Sequence, residues 1–145
     1  MSKNAWLSFE IMRGCDLVEI SETKISEKHI ESDKINPRSI YERYFGFKTH
    51  WNYSSLSTRG SGTAIFYSKR LDQYFESIES DNEGRAIMIR FKINNKYLRI
   101  IQLYCKTNQK GIKSCAKVDK FKDLILEWVN KGIEDNSDGR FKCCV

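Results

Sequence analysis

The run from Ala86 to Tyr104 constrains the fold more tightly than any other stretch of this chain. Ile87, Ile89, Phe91 and Ile93 fall on one face of an extended segment and Met88, Arg90 and Lys92 on the other, which is the period-two pattern of a strand. Asn94-Asn95 then tolerates the positive φ angles of a tight turn, so 96–104 is predicted to return against 86–93 as a hairpin. An apolar hairpin face must be buried under a second layer.

The covering elements are also legible. From 118 to 131 the set Phe121, Leu124, Ile125, Trp128 and Val129 has helical spacing, and Gly132 is predicted to close that helix. A second helix is expected from Ala5 to Met12, carrying Trp6, Leu7, Phe9 and Ile11 and stopped by Gly14. Further strands are predicted at 17–21, 49–53 and 62–67. Residues 25–47 are polar, charged and irregular, with Pro37 disfavouring helix at Asn36, and read as a long excursion with one helical turn at most. A basic loop over 105–115, a polar connection over 134–139 and a last strand from Phe141 complete the chain.

The order suggests a single α/β domain, a mixed sheet with helices on its outer face. The length of 145 residues suits one domain, 40% hydrophobic content fits a globular protein, and one Pro with eight Gly argues against disorder. No repeat is visible.

The formal net charge of +6 favours a polyanionic partner. Lysines 106, 110, 113, 117, 120 and 122 face only Asp119, and read either as a solvated loop and helix face or as a phosphate-contacting surface. Met1 is followed by Ser-Lys-Asn-Ala-Trp without a secretory apolar run, and no stretch has membrane-spanning length, which reads as an intracellular protein, nuclear or cytoplasmic. The cysteines at 15, 105, 115, 143 and 144 lack zinc spacing and are expected as reduced, mostly buried thiols. The terminal Cys-Cys-Val does not match a prenylation signal.

Candidate chemistry begins at Asp16-Leu-Val-Glu-Ile-Ser-Glu-Thr-Lys24, where a short strand runs into Glu22. Ligands collect at the carboxyl ends of strands in open α/β sheets, and magnesium often takes one or two protein carboxylates with phosphate and water supplying the rest. By residue chemistry alone Glu22 is either such a ligand or a surface carboxylate. Tyr104 ends the return strand, where its phenol could donate to a phosphate oxygen or be an ordinary strand-end ring. Gly60 and Gly62 around Ser61 fit close backbone approach, a bulge or phosphate binding. Arg85 reads as structural, Lys24 as an orienting or merely exposed cation, and His29 and His50 as solvent-facing or hydrogen-bonded.

Taken in order, Glu22-Thr-Lys24, Arg59-Gly-Ser-Gly-Thr-Ala-Ile-Phe66, Gly84-Arg85 and Ile100-Ile-Gln-Leu-Tyr-Cys-Lys-Thr-Asn108 resemble the endonuclease/exonuclease/phosphatase family. These are magnesium-dependent phosphodiesterases that include abasic-site and retrotransposon endonucleases. The resemblance implies a partial β-sandwich with helices outside, Glu22 as metal ligand, Tyr104 as phosphate-positioning catalytic residue, magnesium as cofactor and DNA as partner. It also implies phosphate contacts from Lys24, Lys106, Lys110 and Lys113. Ser21 stands for the family's Gln, Gln102 for its Asn and Lys106 for its Pro.

Gly-Asp-x-Asn and Ser-Asp-His are not found in the sequence. The resemblance therefore implies a domain shortened at both ends, inactive alone, with exposed sheet edges open to a complementary chain or to self-association and no membrane partner. Two other readings are a non-catalytic basic module that binds nucleic acid and a lipid- or inositol-phosphatase relative.

Overall fold

Ala86–Ile93 and Lys96–Leu103 form the expected hairpin, in register from Ala86 opposite Leu103 to Ile93 opposite Lys96. Asn94 (φ 49°) and Asn95 (φ 62°) both turn left-handed, the conformation a two-residue turn demands. The structure is a computed structural model that describes residues 12, 14–24, 41–43, 45–53, 62–104 and 115–135. Its strands are β1 (Leu17–Ser21), β2 (Phe47–Asn52), β3 (Thr63–Ser68), β4 (Phe75–Ser80), β5 (Ala86–Ile93) and β6 (Lys96–Leu103), followed by the helix α1 (Cys115–Asp135).

The class is mixed α/β, but the expected mixed sheet is replaced by two three-stranded sheets, β1-β3-β2 and β4-β5-β6. Every described pairing is antiparallel. In the second sheet the physical reason is that five residues join β4 to β5 and two join β5 to β6, too few for a parallel crossover.

The sheets face each other across a buried cluster of Ile65 and Tyr67 from β3 with Ile87, Ile89 and Phe91 from β5. Fully burying such a side chain stabilises by roughly 1.5–3 kcal/mol, so this contact outweighs any exposed ion pair at about 0–1 kcal/mol. The other face of β5 is covered too. Ala86 and Met88 pack on Trp128, with Phe121, Leu124 and Ile125 alongside, as the helical spacing predicts. On the outer face of the first sheet, Ala64 and Phe66 of β3, flanked by Phe47 and Trp51 of β2, pack with Met12, Tyr41 and Phe45.

Several boundaries differ from expectation. The β4 strand is not visible in the sequence because a bulge lies between Phe75 and Ser77, so that Phe75 pairs with Phe91 and Ser77 with Arg90. Phe75 and Ile78, three residues apart, therefore pack against the same core, which strict alternation forbids. The β2 strand begins at Phe47 and ends at Asn52, and β3 runs to Ser68. The α1 helix extends from Cys115 to Asp135 and passes through buried Gly132 instead of ending there; a helical glycine costs about 1 kcal/mol, which tertiary packing can offset.

Cys15 is exposed, contrary to the buried thiol expected. It sits in the turn before β1, outside both sheets. His50 is half-buried and stacks on Tyr67 (5.5 Å) and Phe75 (5.4 Å). Met12 is helical and residues 41–43 are helical, while the rest of the first expected helix, most of the excursion, the basic loop and the last strand lie outside the described residues. Among the described residues no helix is long and apolar enough to cross a membrane.

Candidate functional site

Antiparallel pairing brings the carboxyl ends of β1, β2, β4 and β6 to one rim of the two sheets, together with the amino ends of β3 and β5. Glu22 leaves β1 there and Tyr104 leaves β6. The Tyr104 phenol donates to Glu22 Oε1 at 2.8 Å, joining residues that are 82 positions apart. The two site residues singled out from the sequence are thus neighbours.

Their approach is framed by three backbone hydrogen bonds, one within each sheet and one, Gly62 to Gly84, between them. Thr23 N donates to Gly62 O (3.1 Å), Gly62 N to Gly84 O (2.9 Å) and Tyr104 N to Arg85 O (2.7 Å). With the phenol-carboxylate bond these links close a ring through residues 22–23, 62, 84–85 and 104. Gly62 is required in that ring. Its φ is +99°, and a Cβ there would lie 2.1 Å from Thr23 Oγ1. The glycine is therefore a close-approach position, one of the readings open from the sequence.

Backbone strain marks the same place. Among the described non-glycine residues with positive φ, Asn82, Asn94 and Asn95 are asparagines, which tolerate that region, while Glu22 (φ 55°) and Lys24 (φ 52°) are not. A left-handed conformation costs such residues roughly 1–2 kcal/mol each, and strain of this kind concentrates at functional sites. Thr23 Oγ1 between them is buried without a hydrogen-bond partner among the described residues.

Behind the pair lies a hydrogen bond from Gln102 Nε2 to Ser21 Oγ at 3.1 Å. The two side chains touch across the sheets, the short one on β1 met by the long one on β6. Electrostatically, the Glu22 carboxylate holds the Tyr104 phenol above its ordinary pKa, first by accepting its hydrogen bond, then with help from desolvation and from its charge. The phenol is a donor at neutral pH.

Two residues at this rim were not singled out from the sequence. Asn52 Nδ2 donates to Asp81 Oδ1 (2.9 Å) and Ala86 O (2.7 Å). Asp81 Oδ1 also accepts from Glu83 N and Arg85 N, both at 3.1 Å, and Oδ2 from Arg85 Nε at 3.2 Å. Arg85 is structural, as expected, and its guanidinium lies 4.5 Å over the Phe121 ring. The run Asp81-Asn-Glu-Gly84 is a turn signal that could have pointed here.

Lys24 is exposed two residues past Glu22. Lys106, Lys110 and Lys113 lie outside the described residues. Among the described residues no group of three or more His, Cys, Asp or Glu side chains is placed to hold a metal ion. Glu22 is exposed, with Oε1 accepting from Tyr104. That arrangement fits a magnesium ion that draws its other ligands from water and phosphate, and does not fit a closed protein cage. Neither a protein-family model nor a curated protein matches this chain.

Proposed function

We propose that the chain is a phosphodiester-binding part of a magnesium-dependent endonuclease/exonuclease/phosphatase-type sandwich, with DNA as its partner. The observation that carries this reading is the 2.8 Å bond between Tyr104 Oη and Glu22 Oε1 at the rim where six strand ends meet. Two facing antiparallel sheets with helical cover on both outer faces support it.

Glu22 offers a carboxylate to a hydrated magnesium ion, and the ion when bound polarises a phosphoryl oxygen. Tyr104, kept protonated by its partner, donates to a phosphate oxygen once Glu22 is engaged elsewhere. Lys24 adds positive charge beside them, and lysines 106, 110 and 113 extend the contact along the backbone of the nucleic acid. The sequence carries neither Gly-Asp-x-Asn nor Ser-Asp-His. In this reading it binds and orients a phosphodiester without the side chains with which that family activates water.

The test is a titration of the labelled 145-residue chain with Mn2+ by NMR, in wild type and Glu22→Gln. Broadening centred on residues 22–24 and Tyr104, lost in the variant, is the expected result. Broadening unchanged by Glu22→Gln would overturn the assignment. Duplex DNA with an abasic site is expected to bind without being cut. Magnesium-dependent cleavage lost in Glu22→Gln would overturn the inactivity, and salt-sensitive binding indifferent to magnesium and to Glu22→Gln would point to a basic binding module instead.

A further inference from the structure

The Glu22–Tyr104 pair is held by a loop whose own side chains point elsewhere. A two-residue turn suffices to join β5 to β6, yet five residues, 81–85, join β4 to β5. The longer loop contains a carboxylate whose side chain is only 4% exposed. Burying a carboxylate is costly unless it is fully hydrogen-bonded, and a shorter turn would have avoided that cost.

Asp81 takes four donors: the N–H groups of Glu83 and Arg85, Asn52 Nδ2 and Arg85 Nε. These fix the backbone from 82 to 85, including the left-handed Asn82 (φ 57°) and Gly84 (φ 74°). Two carbonyls of that stretch leave the hairpin and serve the site. Gly84 O receives Gly62 N, whose own carbonyl holds Thr23 beside Glu22, and Arg85 O receives Tyr104 N.

We propose that Asp81 is a positioning residue for the Glu22–Tyr104 pair, setting both through the Gly84 and Arg85 carbonyls. The functional meaning rests on Glu22 and Tyr104 being the phosphate site; the mechanical coupling does not. Asn52 supports Asp81 from the first sheet and also binds Ala86 O, so the second sheet is registered against the first at the point where the pair forms.

The experiment is amide hydrogen exchange by NMR on wild type, Asp81→Ala and Asp81→Asn. In Asp81→Ala the amides of Thr23, Gly62 and Tyr104 are expected to lose protection about tenfold more than those of Ile65 and Ile89 in the core, since local opening moves only the ring. Asp81→Asn keeps Oδ1 for the two loop N–H groups and Asn52 but sets an amide N–H against Arg85 Nε, and is expected to return most of the ring protection lost in Asp81→Ala. Equal loss at ring and core, or an unchanged ring, would overturn the coupling.

Should Asp81→Ala not fold, Asn52→Ala removes one of the four donors and is read the same way, with a loss at the ring beyond that in the core expected, and an equal loss or none overturning it. Mn2+ titration separates the two claims. Asp81→Ala is expected to weaken Mn2+ at Glu22 by about tenfold, the scale seen when groups supporting a metal ligand are removed. An absence of Mn2+ binding in wild type would overturn the site reading alone, and exchange would still decide the coupling.

Discussion

The two rims of the sandwich are held by different forces. At the site rim, the Gly62–Gly84 backbone bond and the contacts of Asn52 with Asp81 and Ala86 join one sheet to the other. At the opposite rim, Arg70 pairs with Asp16, and Lys48 with Asp72 at 3.3 Å, with all four side chains 42% exposed or more. Solvent screens exposed pairs and leaves buried hydrogen bonds strong. The difference lies in what joins sheet to sheet. At the rim with the left-handed Glu22 and Lys24 the two sheets are tied by hydrogen bonds that do not depend on salt, whereas the exposed pairs of the opposite rim tie the Lys69–Tyr74 helix to the first sheet.

The sharpest way to break that contrast is Gly62→Ala. The new Cβ would meet Thr23 Oγ1 at 2.1 Å in a backbone with φ +99°. Conformational strain and overpacking together predict a loss of about 2–4 kcal/mol in urea denaturation. Adding Thr23→Ala removes the nearest clashing atom and leaves the strain, so the double variant should recover part of the loss. A double variant no better than Gly62→Ala would show that the hydroxyl contact is unimportant.

Next in size is Asn52→Ala. Its amide serves Asp81, Ala86 and, at 3.4 Å, Thr63. Truncation leaves buried acceptors without that donor and should cost about 1–3 kcal/mol. A loss below that range would mean that water replaces the amide, and that the site rim is wetter than its burial indicates.

The legible parts of the molecule are those with local periodicity. The strands at 17–21 and 86–93 have the predicted bounds, and the hairpin turn follows from Asn94-Asn95. The β4 strand escapes because its bulge puts Phe75 and Ile78 on one core in a spacing that is neither two nor four. Glu22 and Tyr104 could be named from their places at strand ends, joined by a motif resemblance. Their contact depends on the 81–85 loop, and that loop cannot be placed when β4 is unseen. Asn52 and Asp81 are 29 residues apart and carry no local pattern that pairs them.

A pH titration probes the opposite rim next. Tyr67 is 1% exposed and donates to Asp72 Oδ1 at 3.0 Å. Burial first, then the hydrogen bond and charge of Asp72 and the charge of Glu42, raise its pKa far above that of a free tyrosine. An unfolded tyrosine ionises near pH 10, so folded and unfolded chains hold the same phenolic proton below that pH and differ above it. Stability from this group is therefore complete below pH 10 and falls as pH rises past it, by about 1.4 kcal/mol per pH unit. Tyr67→Phe should lessen the fall by that slope, and identical slopes in both proteins would exclude Tyr67 as its source.

The smallest change expected is Lys48→Ala. Lys48 and Asp72 have side chains 42% and 44% exposed, and exposed pairs contribute about 0–1 kcal/mol. Asp72 keeps the Tyr67 hydroxyl as a donor after the lysine is gone, so no buried charge is stranded. The denaturation midpoint should move little, and the difference from wild type should shrink further as salt is raised. A loss as large as that of Asn52→Ala, insensitive to salt, would make the two rims equal and remove the reason for placing the fixed geometry at only one of them.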